Sequence, residues 1–179
     1  MNECHPALRF RFCPYCGSPR FTWDGEKSHH CADCGHKLYT NEVGAVIAVI
    51  TNAEGEVLFV RRRFNPAKGT LDLPGGFIDL GERAEDAMRR EVMEELHLRV
   101  TRADFLCTLP NTYVYDTLMY HTIDIVFHCE VEDWSALRAD DDATECRFLP
   151  LENVDVEAVG LDSVRRLVGM LKQGEIKIK

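Results

Sequence analysis

A chain of 179 residues and 20.4 kDa holds one domain of ordinary size and a small appendage. With 45% hydrophobic and 28% charged residues it has a globular composition, which excludes a disordered chain, a collagen-like fibre and a coiled-coil rod. Its 21 basic and 30 acidic side chains give a net charge of −9, and so acidic a surface argues against nucleic acid or an anionic membrane as a general partner.

The start, Met1-Asn2-Glu3-Cys4-His5-Pro6, has neither a basic n-region nor an apolar h-region. The apolar run that ends at Ile50 falls far short of the ~20 residues of a membrane span. The expected compartment is the cytoplasm, where cysteines stay reduced.

The first 40 residues differ in kind from the rest, with five of the eight cysteines and four of the seven histidines. Cys13-Pro14-Tyr15-Cys16 and Cys31-Ala32-Asp33-Cys34 are C-x-x-C pairs separated by 14 residues. Such pairs point to metal before disulfides. Four thiolates close a tetrahedron around Zn²⁺ at about 2.3 Å each. Gly17 and Gly35, each following a pair, suit the left-handed end of a tight turn. Residues 1–40 are therefore expected to form a zinc ribbon whose metal supplies its folding energy. Five basic side chains against four acidic ones, with about −2 from a four-thiolate zinc centre, give no DNA-binding charge. A structural or dimer-forming role is expected. With four cysteines available, His29, His30 and His36 read as surface residues.

From residue 41 onward the pattern is that of a second domain, 41–179. Glu42 to Ile50 reads as a buried strand, Ala53-Glu54-Gly55-Glu56 as a turn, and Val57 to Arg61 as its antiparallel partner. A loop at Asn65-Pro66-Ala67-Lys68-Gly69 leads to a short strand, Leu71 to Leu73, broken by Pro74-Gly75-Gly76. Gly81 precedes a helix from about Glu82 to Leu96. Strands follow at Leu98 to Leu109, Tyr120 to Val131 and Cys146 to Leu149, and an amphipathic helix at Leu161 to Lys172. Strands and helices alternate without a regular βαβ rhythm, which predicts an α/β fold with a mixed sheet between helices.

The first of these helices carries the chemistry. Ala84, Met88, Val92 and Leu96 form one apolar stripe, and Glu91, Glu94 and Glu95 share one sector. At about 100° per residue, Glu95 falls about 20° and Glu91 about 60° from Met88, so two acids sit against the apolar stripe. Clustered carboxylates there repel and take up protons unless a hard divalent cation, Mg²⁺ or Mn²⁺, binds them through oxygen. The alternative is a solvated acidic face balanced by Arg89, Arg90 and Arg99. Gly75-Gly76 adds backbone that a ligand or metal can approach without a Cβ in the way. Glu82 and Arg90, two turns apart, are placed to pair and fix the helix against the loop.

As a whole, Gly76-x5-Glu82-x7-Arg90-Glu91-Val92-x-Glu94-Glu95-x-His97-Leu98 resembles the Nudix box. Six of its seven fixed positions are met and both apolar positions are filled. The departure is His97, where the family has glycine; His97 reads as a tolerated left-handed helix cap that also suits the helix dipole. The resemblance extends over about residues 42–172, and Leu71-Asp72-Leu73-Pro74-Gly75-Gly76-Phe77 also looks typical of the family.

The resemblance implies a Nudix-type α/β/α sandwich and hydrolysis of the pyrophosphate of a small-molecule nucleoside diphosphate derivative by metal-activated water. It implies that Glu91, Glu94 and Glu95 hold Mg²⁺ or Mn²⁺, with a carbonyl near Gly76, and that Glu82 and Arg90 orient them. Glu145 is the candidate general base outside the box, or else a solvated loop acid after Asp140-Asp141-Asp142. Arg61 and Arg63, with Gly75 and Gly76, are candidate substrate contacts; strand alternation turns Arg62 away from the other two. Tyr113 and Tyr115 are set to stack on a base or to join the core.

A zinc ribbon ahead of such a domain is similar to the NADH pyrophosphatases. Their Ser-Gln-Pro-Trp-Pro-Phe-Pro-x-Ser motif is replaced here by Leu106-Cys107-Thr108-Leu109-Pro110-Asn111-Thr112-Tyr113, which shifts the expectation from NADH toward ADP-ribose-like substrates. A homodimer is the family expectation. The competing reading is a catalytically silent Nudix-fold sensor that docks through its ribbon.

Overall fold

The computed structural model describes residues 3–178. The chain divides into two compact units, Met1–Glu42 with Thr112–His121, and Val43–Asn111 with Thr122–Lys179.

The first unit contains a one-turn helix, α1 (Pro6–Arg9), and three strands, β1 (Phe21–Trp23), β2 (Ser28–Cys31) and β3 (Lys37–Tyr39), antiparallel in that order. Its two cysteine loops are built alike. Gly17 and Gly35 both have φ of 74°, and their N–H groups donate to the Cys13 and Cys31 carbonyls at 2.8 and 3.0 Å. The Cys13 and Cys31 N–H groups donate in turn to Ser18 and His36 carbonyls, both at 2.9 Å. All four sulfurs lie within 4.8 Å of one another, Cys13 to Cys34 at 3.7 Å and Cys16 to Cys31 at 3.6 Å. Two thiolates on a tetrahedral ion with ~2.3 Å bonds stand ~3.8 Å apart. Two of the sulfur pairs thus stand at the spacing that a tetrahedral Zn²⁺ requires.

His29 departs from its expected surface position. It is 0% exposed, with ring centroids 4.9 Å from Phe21, 5.0 Å from Trp23 and 5.5 Å from Phe10. A unit this small has few apolar side chains, and the imidazole serves as one of them; burial pushes its pKa down and favours the neutral ring. His30 is exposed as expected, and His36 is half-buried and stacked on Tyr15.

The second unit is built from β4 (Val43–Ile50), β5 (Val57–Arg62), β6 (Leu71–Asp72), β7 (Gly75–Phe77), α2 (Ala84–Leu96), β10 (Ala143–Leu149), α3 (Asp162–Gln173) and most of β8 (Val100–Tyr115) and β9 (Leu118–Val131), whose joined ends, Thr112–His121, belong to the first unit. One sheet runs β7-β4-β9-β8 and the other β10-β5-β6. β4 runs parallel to β9 and antiparallel to β7, so the sheet is mixed. Along β4, Val46, Ala48 and Ile50 pack with Met88, Val92 and Leu96 of α2. Ile47 and Val49 pack with Val164, Leu167 and Val168 of α3. β5 alternates the same way, Leu58 and Val60 toward α2 and Val57 and Phe59 toward α3. A strand covered on both faces reads as a continuous apolar run, which is what 43–50 shows. This is the expected α/β/α sandwich.

Three local expectations are corrected. β5 does not pair along β4; they share one bridge, Thr51 to Val57, because β7 and β9 already occupy the two edges of β4. β5 pairs instead with β10 and β6. Gly75-Gly76 does not end the pairing but forms β7, with Gly76 opposite Val46. β8 runs on through Pro110 to Tyr115 because it is an edge strand, where a missing N–H costs no ladder bond. Its turn into β9 has φ of 42° and 73° at Asp116 and Thr117, the pattern of a two-residue hairpin turn.

Leu167 is fully buried on the inner face of α3, so Leu167→Ala is expected to lower unfolding free energy by about 3 kcal/mol. The fully exposed Leu80 gives a control, since Leu80→Ala is expected to change it by under about 0.5 kcal/mol. Denaturant unfolding followed by circular dichroism distinguishes the two. The purified chain is also expected to carry one tightly held zinc, measured by elemental analysis and lost in Cys16→Ser; a metal-free preparation with an unchanged melt contradicts the four-thiolate site.

Candidate active site

Within the second unit, the turn after β7 is tied to α2 by one arginine. Arg90 Nε and Nη2 donate to the two carboxylate oxygens of Glu82 at 3.0 and 2.9 Å, and Nη2 also donates to the Phe77 carbonyl at 3.0 Å. Glu82 in turn accepts the Asp79 N–H at 3.0 Å. Arg90, followed by that N–H, holds the Glu82 carboxyl below its usual range. The expected Glu82–Arg90 pair thus forms as a two-point fork. The remaining Arg90 nitrogen, Nη1, donates to Glu91 at 2.8 Å and Glu94 at 3.1 Å.

The three glutamates sit at different depths. Glu94 is exposed and Glu91 is half-buried, while Glu95 is only 5% exposed. Burial pushes the Glu95 carboxyl well above its ordinary range, and the charges of Asp72, Glu91 and Asp142 push it further; the Gly75 N–H, donating at 3.2 Å, opposes them. Burial also raises Glu91, with Glu94 and Asp142 adding to it and Arg90 opposing. Two desolvated carboxyl groups that repel one another are a poor resting arrangement unless a cation joins them.

β7 presents bare backbone to that cluster. A Cβ on Gly76 would lie 2.4 Å from Glu91 Oε1, and one on Gly75 would lie 2.0 Å from the Val46 carbonyl oxygen. Gly75 also has φ of 152°, which disfavours any side chain. The glycines therefore let β7 lie against β4 on one side and the glutamates on the other. Oxygen donors of this kind, carboxylates beside free carbonyls, suit a hard divalent cation.

The other named residues are placed as follows. Among the described residues, the one group of three or more candidate metal-ligating side chains within 4.8 Å of one another is the cysteine set, so Glu91, Glu94 and Glu95 do not converge to that limit; Arg90 Nη1 bridges Glu91 and Glu94, while Glu95 turns to the Gly75 N–H. Glu145 stands on β10 opposite Arg61 and accepts its Nε at 3.0 Å. Arg61 also donates to the Gly69 carbonyl, and Arg63 to the Ala143 carbonyl at 2.9 Å. Arg62 points the other way, as alternation required, and meets buried Asp72 at 2.6 Å. Tyr113 belongs to the first unit. A cavity of about 340 Å³ is lined by Arg102, Phe105, Leu106, His128 and Lys177 among others, and by none of the candidate catalytic, substrate or metal residues named from the sequence.

Sequence reasoning passed over Asp72 and Asp142, whose charges act on Glu95. A signal existed for Asp72, since an acid between two core leucines must find a cation or a proton.

The Nudix domain family model matches residues 42–167. An ADP-ribose pyrophosphatase from Methanocaldococcus jannaschii is 35% identical over 119 residues, 66% of this chain and 68% of that protein. An NAD-capped RNA hydrolase, NudC, from Pseudomonas putida is 26% identical over 165 residues; the match takes in 92% of this chain but 56% of the relative, so this chain spans about half of such a protein. A crystal structure of a Nudix hydrolase from Nitrosomonas europaea superposes with a TM-score of 0.67 at 20% identity, over 92% of this chain and 93% of that one, which is a likeness of fold. With the glycine-glutamate pattern, the sandwich and the family match in agreement, this chain belongs to the Nudix hydrolase family.

Proposed function

We propose that this chain hydrolyses the pyrophosphate bond of a nucleoside diphosphate derivative, with ADP-ribose-like compounds as the favoured substrates. The observation that carries the reading is the contact between bare Gly76 and the half-buried Glu91, beside the buried Glu95. Those residues fit Mg²⁺ or Mn²⁺: Glu91, Glu94 and Glu95 would supply carboxylate oxygens and the Gly76 region a carbonyl. Bound there, the ion would lower the pKa of a water and neutralise charge on the phosphates.

The protein's own groups do the rest. Arg90 keeps the turn after β7 fixed against α2, so that the glycine backbone and the glutamates keep their spacing. Burial of Glu95 excludes water from one side of the cluster and strengthens its interaction with a cation. Arg61 and Arg63 remain candidate phosphate contacts, each already engaged with a neighbouring carbonyl that a phosphate oxygen would have to displace. Glu145 remains a candidate base, its carboxylate half exposed and bound to Arg61, an ion pair that it would have to leave to accept a proton. The family match to a named ADP-ribose pyrophosphatase supports the substrate class. The complete set of three glutamates with Arg90 supports catalysis over a silent sensor, which needs none of them. In the first unit, Cys13, Cys16, Cys31 and Cys34 are proposed to hold a structural Zn²⁺.

With Mg²⁺ or Mn²⁺ present, ADP-ribose is expected to be cleaved to two phosphorylated products. Glu94→Gln and Glu95→Gln are each expected to lower turnover at least about a hundredfold while circular dichroism stays unchanged. Unaltered kinetics in both variants, or no turnover of ADP-ribose, NADH, diadenosine polyphosphates or nucleoside triphosphates by the parent chain, contradict the proposal.

A further inference from the structure

The four clustered sulfurs of the first unit meet solvent unequally. Cys13 and Cys31 are 2% and 0% exposed, while Cys16 and Cys34 lie open. Among the described residues no other cysteine is exposed: Cys4, Cys107 and Cys146 are half-buried and Cys129 is buried. Oxidants select cysteines by thiolate character and access. Both accessible cysteines thus belong to the one cluster in which metal binding would keep them as thiolates.

Each exposed sulfur also has a buried one beside it, across the two cysteine loops. Cys16 Sγ stands 3.6 Å from Cys31 Sγ, and Cys34 Sγ stands 3.7 Å from Cys13 Sγ. The polypeptide itself holds the loops together. The Ala32 N–H donates to the Arg20 carbonyl at 2.9 Å, and the Ser18 hydroxyl donates to the Asp33 carboxylate. The Arg20 side chain pairs with Asp33 as well, and the Arg20 N–H donates to Ser18 Oγ at 3.0 Å. None of these contacts uses a thiol, so they keep the two loops facing each other independently of a bound ion.

We propose that Cys16 and Cys34 are oxidation sites for hydroperoxides, and that their oxidation joins the two loops through Cys16–Cys31 and Cys13–Cys34 disulfides while the site gives up its zinc. The inference rests on the zinc reading of these four residues under the proposed function. Its distinct content is which thiols react and which pairs form.

In the first round an exposed thiolate attacks one peroxide oxygen. The O–O bond breaks, and the other oxygen leaves as hydroxide or alkoxide and takes a proton from water. The buried thiolate of the facing loop then attacks the resulting sulfenic acid; an S–S bond forms and hydroxide leaves. Two thiolates have then given two electrons to one hydroperoxide. The two thiolates left over are too few for a four-thiolate ion, and a second hydroperoxide oxidises them in the same way. A dithiol reductant returns all four thiolates by exchange, with its own oxidation to a disulfide.

The test treats the whole zinc-loaded chain with hydrogen peroxide. Zinc release is followed with a chromogenic chelator, and disulfides are assigned by fragmentation mass spectrometry of unreduced peptides. Zinc is expected to leave at least about tenfold faster than Cys4, Cys107, Cys129 and Cys146 are oxidised. The linked residues should be Cys16 with Cys31 and Cys13 with Cys34, and dithiothreitol with added Zn²⁺ should restore the original zinc content. Oxidation elsewhere while zinc stays bound, any other pairing within the cluster, or zinc that does not return on reduction overturns the proposal. A chain that purifies without zinc defeats the zinc reading. The same two disulfides formed in that metal-free chain would leave the oxidation sites standing, and their absence there would remove them as well.

Discussion

The second unit is organised around a close approach that two glycines permit. β7 can lie against β4 only because position 75 lacks a side chain, since a Cβ there would overlap the Val46 carbonyl; a Cβ at Gly76 would displace the Glu91 carboxylate from the place it now holds. That approach brings unencumbered backbone beside acids too buried to be well solvated. The molecule accepts the electrostatic cost in a place where a divalent cation would remove it. Arg90, with five hydrogen bonds to Glu82, Phe77, Glu91 and Glu94, holds the arrangement together without filling it.

The sandwich sets where that edge lies. α2 buries Ala87, Met88, Val92 and Leu96 against β4 and β5, so its register against the sheet is set by packing. The glutamates then take their positions from the helix. Glu95, one residue before the core position Leu96, is carried inward with it, while Glu94 turns toward solvent. Depth is thus graded along one helix by a single rotation, and the three carboxyl groups differ in solvation although they differ little in sequence.

Much of this was legible in the residues. The spacing from Gly76 to Leu98 carried the family resemblance, the helix and the acid cluster, and the doubled C-x-x-C-G pattern anticipated two loops of equal geometry. The pairing of β5 was not legible, because local alternation says that a strand has two faces and is silent about which edge it meets. β7 was hidden by its own composition: Gly-Gly reads as a break, yet here the glycines are what allow a strand to fit. His29 was misplaced since a polar residue type was judged by its class, and a small unit short of apolar mass uses the imidazole ring as filling. Asp142 lies 47 positions from Glu95 in the chain, and a through-space influence of that kind leaves no periodic trace.

The direct test is the melting temperature of the whole chain at neutral pH, with divalent ions chelated and then with Mn²⁺ restored, in parent and Glu95→Gln forms. If burial of Glu95 is a cost that a cation lifts, the chelated variant melts at or above the chelated parent, and Mn²⁺ raises the parent far more than the variant. Equal Mn²⁺ responses in the two proteins, or a parent indifferent to the ion, would contradict it.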